Sequence, residues 1–200
     1  MANPARRPTN TTPTRRSKLI KCIATTIITL CVLIAIAILI AWAIIRPKRL
    51  VYTIENGSVH GYDLKYKHLN SSFNFVLKAY NPNKKVSVFY NSMQVSVLYD
   101  DEPIAFDTVE PFFQSHHNVT LLQLKPVAHS VPLMESEIKD LKLERSSGVM
   151  ELTIKVKGKV RLKVGSWKSK ERKLRVSCYP VDLHFSSSKS FERTKCVSHI

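Results

Sequence analysis

The sequence predicts a mainly β protein: a single transmembrane helix followed by a β-sandwich with one short helix at its side. Three observations predict it. Ile23 to Ile45 is 23 residues without a charge, a Gly or a Pro. Beyond Leu50, apolar residues recur on alternate positions in short runs separated by Asn, Pro and Gly, the pattern of half-buried strands. Only the stretch between Pro132 and Gly148 takes helical spacing. There Leu133, Met134, Ile138 and Leu141 fall near one face, with Glu135, Glu137 and Lys139 off it.

Charge divides the chain in the same way. It holds 31 Lys+Arg against 15 Asp+Glu in 200 residues. Nine of the basic residues and no acidic one lie at or before Arg49; the other 151 residues carry 22 basic and 15 acidic. That remainder suits one domain with one core. The organisation read from this is a basic tail (1–21), a membrane helix (22–46) and an outer domain (47–200).

At roughly 1.5 Å per residue the apolar run reaches about 34 Å, enough to cross a ~30 Å hydrocarbon layer with some tilt. Lys21 and Cys22 stand at one edge, Trp42 near the other, and Arg46-Pro47 stops the helix. Arg6, Arg7, Arg15, Arg16, Lys18 and Lys21 precede it, whereas only Arg46, Lys48 and Arg49 follow closely. The positive-inside rule then puts the N-terminus in the cytosol and the domain outside. A cleaved signal peptide is the rival, since Ala41-Trp42-Ala43 resembles a cleavage site. The run is too long for a usual apolar region of about 7–15 residues, which favours an uncleaved signal anchor. The tail cations are expected to bind the anionic inner leaflet, each worth about 1 kcal/mol close to the surface. Cys22 is a candidate for palmitoylation.

Export has two further signs. Asn56-Gly57-Ser58, Asn70-Ser71-Ser72 and Asn118-Val119-Thr120 are glycosylation sequons downstream of the helix, with a fourth at Asn10 in the tail. Cys22 and Cys31 belong to the membrane segment, which leaves Cys178 and Cys196. In an oxidising compartment that pair can close a loop near the C-terminus; two free thiols are the alternative.

Within the outer domain, Phe73, Phe75, Leu77 and Ala79 alternate first. Asn81-Pro82-Asn83 then opens a hairpin pattern: Val86, Val88 and Tyr90, a break at Asn91-Ser92, and Val95, Val97 and Tyr99. Leu122 and Leu124 mark a short strand ended by Pro126. Met150, Leu152, Ile154, Val156, Val160, Leu162 and Val164 alternate through a long run, and Leu174, Val176 and Cys178 complete the set. Fifteen residues from Met150 to Val164 would extend about 50 Å, against a usual strand of about 17–20 Å. A sharp bend at Gly158, with the two halves serving different parts of the sandwich, is therefore expected.

The search for chemistry excludes more than it finds. Five Gly leave no phosphate-cradling loop and no dinucleotide fingerprint, and neither G-x-S-x-G nor H-E-x-x-H occurs. His116-His117 reads as polar loop, because adjacent strand residues face opposite ways and ligate one metal poorly. Asp100-Asp101-Glu102 lacks the spaced oxygen ligands of a calcium loop and sits where a hairpin turn is expected. The chain reads as non-enzymatic, with no cofactor and no metal. The informative constellation is basic: alternation puts Lys155, Lys157, Lys159, Arg161 and Lys163 on one face of a strand. A solvated face that discourages edge aggregation is one reading. The other is a docking surface for a polyanion, meaning an acidic polysaccharide, anionic lipid or an acidic protein. Nucleic acid drops out for a domain outside the cell.

The tail, the membrane helix and the segment AYNPNKKVSVFYNSMQVSVLYDDEPIA together resemble the plant harpin-induced and non-race-specific disease-resistance-like proteins. Those proteins carry an outer late embryogenesis abundant group 2 domain. PFFQSHHNVTLLQL (111–124) and VKGKVRLKVGSWKSKERKLRVSCYPV (156–181) match the same pattern. The resemblance implies a fibronectin-like β-sandwich at the outer face of a plant plasma membrane, with some members at plasmodesmata. It implies no catalytic residue. It also implies a role in defence and the hypersensitive reaction through protein contacts with partners it does not name. Adhesion to acidic wall polysaccharide and protection of membranes under stress are the alternatives.

Overall fold

A computed structural model describes residues 15–45, 48–185 and 190–200, and it falls into two compact units, Met1–Arg46 and Pro47–Ile200. Arg6, Arg7, Asn10, Arg46-Pro47 and the serine run 186–188 lie outside the described residues. In the first unit, α1 spans Arg15–Ile45. Its segment Lys18–Ile40 is long and apolar enough to cross a membrane, and none of it is buried against protein. The threonines fit that setting. Thr25, Thr26 and Thr29 each donate their hydroxyl to carbonyls three and four residues back, so these three hydroxyls are not left open on the apolar surface.

The second unit is the sandwich. Its strands are β1 (Val51–Lys65), β2 (His68–Asn81), β3 (Ser87–Tyr99), β4 (Glu102–Val109), β5 (Phe112–Gln114), β6 (Asn118–Leu124) and β7 (Val127–Pro132). After α2 (Glu135–Ser147) come β8 (Val149–Val164), β9 (Trp167–Lys168), β10 (Arg172–His184) and β11 (Thr194–His199). The pairing order is β5-β3-β4-β7-β2-β1-β11-β10-β8-β9, with β6 added to β2 and β3 also paired to β8. Hydrogen bonding thus runs round the whole sandwich, leaving few open edges. The alternating residues Phe73, Phe75, Leu77 and Ala79 of β2 face Val88, Tyr90, Val95 and Val97 of β3 and Ile154 and Val156 of β8 in one buried cluster.

Two strand expectations are corrected. The segment 86–99 is not a hairpin broken at Asn91-Ser92: β3 runs through it as one strand. Its inward residues are even-numbered up to Tyr90 and odd-numbered from Met93 onward. A bulge makes the change, since Tyr90 pairs with Val160 and Ser92 with Lys159. Two residues of β3 thus span one step of β8, which re-aims the second half so that both halves bury their apolar side. The expectation that the two halves of β8 serve different parts of the sandwich is the second correction. Register with β10 passes through Gly158 unshifted, and β3 and β10 flank both halves. The irregularity belongs to the facing strand. Gly158 lies opposite Met93, where the bulge brings the Ser92 carbonyl to 2.8 Å from the place a Cβ would occupy.

The hairpin turn lies one step further on. Asp100 and Asp101 both take left-handed backbone (φ 47° and 63°) between β3 and β4, the geometry of a tight two-residue connection. Asn81-Pro82-Asn83 is more than a turn. The buried Asn81 amide donates to the Val86 and Ser115 carbonyls, at 2.8 and 3.0 Å, and its Oδ1 accepts from the Asn83 side chain at 2.9 Å. Asn83 in turn donates to the Lys48 carbonyl at 2.9 Å, tying the start of the domain to the loop before β3. In α2, Glu137 is buried, although its charge had put it off the apolar face. Its carboxylate accepts from the Met134 backbone N–H at 2.7 Å and so caps the helix start, while Met134 itself is exposed.

Candidate functional site

β8 presents Lys155, Lys157, Lys159, Arg161 and Lys163 to the outside while Leu152, Ile154, Val156 and Val160 enter the core. They do not act as one stripe. Lys155 Nζ lies 3.2 Å from Asp101, and Lys159 and Arg161 share Glu171 at 3.3 and 3.5 Å. Hydrogen bonding from Lys159, and then from Asn91, holds the Glu171 carboxyl below the usual carboxylate range. Lys163 lies 5.9 Å over the exposed ring of Phe113, itself paired across the strands with Phe89.

β10 adds cations that a reading of β8 alone misses. Register sets Lys157 opposite Arg175 and Lys159 opposite Lys173. Residues facing each other on neighbouring strands are about 5 Å apart, and successive outward residues on one strand about 7 Å. Unit charges at such distances repel by roughly 0.6–0.8 kcal/mol in water. Among the described residues no carboxylate lies within ion-pair distance of Lys157, Lys173 or Arg175. With Lys159, Gln94 and Thr108 they line a shallow depression of about 590 Å³.

A second depression, of about 630 Å³, has the opposite character. Asp100 and Asp101 at the β3–β4 turn, Asp140 and Glu144 on α2, and Glu151 on β8 converge there beside Tyr99 and Tyr179. Alternation hides this cluster because its members come from three separate elements. Glu144 Oε2 is buried without a hydrogen-bond partner. Desolvation raises the carboxyl above its ordinary value, and the negative field of Glu151 and Asp140 adds to it. A carboxyl raised in the folded state binds its proton more tightly when folded. Its contribution favours the fold at low pH and is lost as pH rises from the ordinary carboxylate range through the raised value. Glu144→Gln should therefore raise the melting temperature near neutral pH and leave it unchanged near about pH 4. A variant less stable than wild type at pH 7 would show that the carboxylate is held favourably.

The other sequence-selected residues are spread over the domain. Asn56 and Asn118 are exposed, whereas Asn70 is half-buried and its Oδ1 accepts from the Ser130 backbone N–H at 2.8 Å. His116 and His117 are exposed in the turn before β6. Among the described residues, no group of three or more His, Cys, Asp or Glu side chains is placed to hold a metal. Cys178 and Cys196 form a disulfide across β10 and β11, and Cys22 is an exposed free thiol on α1.

Residues 76–178, from β2 to the first disulfide cysteine, match the late embryogenesis abundant protein family LEA_2. The chain is also similar to NDR1/HIN1-like protein 1 of Arabidopsis thaliana, 30% identical over 86% of this chain and 84% of that one. The chain belongs to the NDR1/HIN1-like proteins with a LEA_2 domain. The matched region holds β3, β8 and their bulge, together with every cation of the basic face from Lys155 to Arg175. An uncharacterised Arabidopsis thaliana protein is 34% identical over 94% of this chain and 87% of its own length. NDR1/HIN1-like protein 3 is 29% identical over 85% and 76%. The resemblance read from the sequence motifs and these alignments lead to the same family.

Proposed function

We propose that this protein is a non-enzymatic plant defence component, held in the plasma membrane by α1 with its LEA_2 sandwich outside, and acting through protein contacts. The observation that carries the reading is the alignment with NDR1/HIN1-like protein 1 over 86% of this chain. The apolar α1 and the cation excess before it support the orientation. Loss of the protein should weaken pathogen-triggered cell death in intact tissue, and restoring the full chain should recover it; an unchanged response would sink the role. A basic outer face favours a second reading, a membrane–wall adhesion protein, while the LEA_2 match leaves protection of membranes under stress as a third.

Orientation has its own test. Protease added outside sealed cells should digest the domain, and glycosidase should speed its migration on a gel. Asn56→Gln and Asn118→Gln should each remove part of that shift, because both residues are exposed, with Asn70→Gln removing less. A protected domain would overturn the topology. Changing the six tail cations to Gln should weaken orientation in the same assay, since each loses its attraction to the inner leaflet. Unaltered orientation would leave α1 as the sole determinant.

A further inference from the structure

Neutralisation divides the basic face into a spent part and a free part. Asp101 and Glu171 answer Lys155, Lys159 and Arg161, while Lys157, Lys173 and Arg175 have no carboxylate partner among the described residues. Lys163 also lacks such a partner but lies over Phe113; the other three gather at one depression on the neighbouring strands β8 and β10. We propose that this depression is a binding site for a linear carboxylate polymer, a polyuronate chain, held by Lys157, Lys173 and Arg175, and by Lys159 through the positive charge that one Glu171 shared with Arg161 leaves over, with Gln94 and Thr108 reaching its hydroxyls.

Three features select that ligand. The cations stand in two rows along neighbouring strands, so charges repeated along one chain relieve the repulsion of every pair, which a single small anion cannot do. Three of the four are lysines, point charges on flexible stems that can follow charges repeated along a chain without demanding one fixed angle. Their neighbours Gln94 and Thr108 are exposed, neutral and polar, as sugar hydroxyls require. None of the exposed large apolar residues that could enter a bilayer lines the depression. Beyond Lys159 the face continues to Arg161 and the exposed pair Phe89 and Phe113, which offer apolar contact to a sugar ring. A wall polymer as the natural ligand rests on the outward topology proposed above; binding itself does not.

The test uses the full chain in neutral-lipid nanodiscs, titrated with polygalacturonate at about 0.05 M and about 0.3 M salt. Saturable binding that weakens with salt is expected, with no binding to neutral dextran or to a fully methyl-esterified polymer. The variant Lys157→Gln/Lys173→Gln/Arg175→Gln should bind roughly tenfold more weakly, three exposed charge contacts of a few tenths of a kcal/mol each. The equal-charge control Lys84→Gln/Lys85→Gln/Lys125→Gln should stay within about twofold of wild type. All six positions are exposed, and unchanged melting temperatures will establish that both variants fold. Equal loss in the two variants would reduce the effect to net charge and overturn the site. So would absent binding, equal binding of the esterified polymer, or stronger binding to phosphatidylserine vesicles than to polygalacturonate. Polymer binding together with a protease-protected domain would refute the outward topology alone.

Discussion

Gly158→Val is expected to destabilise the sandwich by about 2–3 kcal/mol, lowering its melting temperature by roughly 5–10 °C. Valine is a better strand former, but that preference spans only about 1 kcal/mol and depends on what the side chain meets. Here it meets the facing strand. A Cβ at 158 would stand 2.8 Å from the Ser92 carbonyl and 2.9 Å from Met93 Cγ. Met93 can shift its side chain, whereas the carbonyl belongs to the bulge and moves only with the β3–β8 pairing. The γ-methyls would add to the crowding. Gly158→Ala separates the two terms: it should still destabilise, by about 1 kcal/mol, although alanine improves on glycine wherever the backbone has room. An alanine variant as stable as wild type, or a stabilised valine, would show that the bulge yields at little cost. Thermal and urea unfolding of the purified chain measure both.

The same bulge explains why strand pattern was legible and strand pairing was not. Alternation fixes which side chains face the core, and the inward residues of β2, β3, β8 and β10 could be read from it. A change of parity between Tyr90 and Met93 is equally compatible with a turn and with one extra residue in a continuous strand. The decision rests with a partner about 60 residues away, the sixteen-residue β8, which pairs with both halves of β3. Gly158 carried the complementary signal, but a glycine within a strand does not say whether its own chain or the facing one is irregular. Local geometry at Asp100-Asp101 and Gly148 was easier to anticipate, because a tight turn and a left-handed helix end depend on neighbours in sequence.

The candidate site lies across the same boundary between local pattern and tertiary pairing. The lysines of β8 were visible as a local alternation; their effective charge was not. Asp101 and Glu171 reach them from other elements, and Lys173 and Arg175 join them through the β8–β10 register. Glu137 shows the reverse error: its charge placed it outside, and its hydrogen bond to the Met134 backbone lets it stay buried. Nothing local marked the acidic depression, assembled from a turn, a helix and a strand.

Removing the disulfide should have an effect as large as that at Gly158. Cys178→Ala/Cys196→Ala is expected to destabilise the domain by about 3 kcal/mol, the chain-entropy value for a loop of this size; the two cysteines are 18 residues apart. Loss of the fully buried Cys178 sulfur adds to it. Consequences should concentrate in β11. This strand of six residues is the link between β1 and β10, with three paired positions on one side and four on the other. Without the crosslink, its amides should exchange with solvent before those of β3 and β8, whose long pairings remain. Reducing agent should bring wild type most of the way to the alanine pair, short of it by the packing of the Cys178 sulfur, and leave that variant unchanged. If the oxidised protein and the double variant unfold together, sheet pairing alone holds β11. A loss confined to the oxidised form would instead tie the stability of the sandwich to an oxidising compartment, the side of the membrane proposed for it.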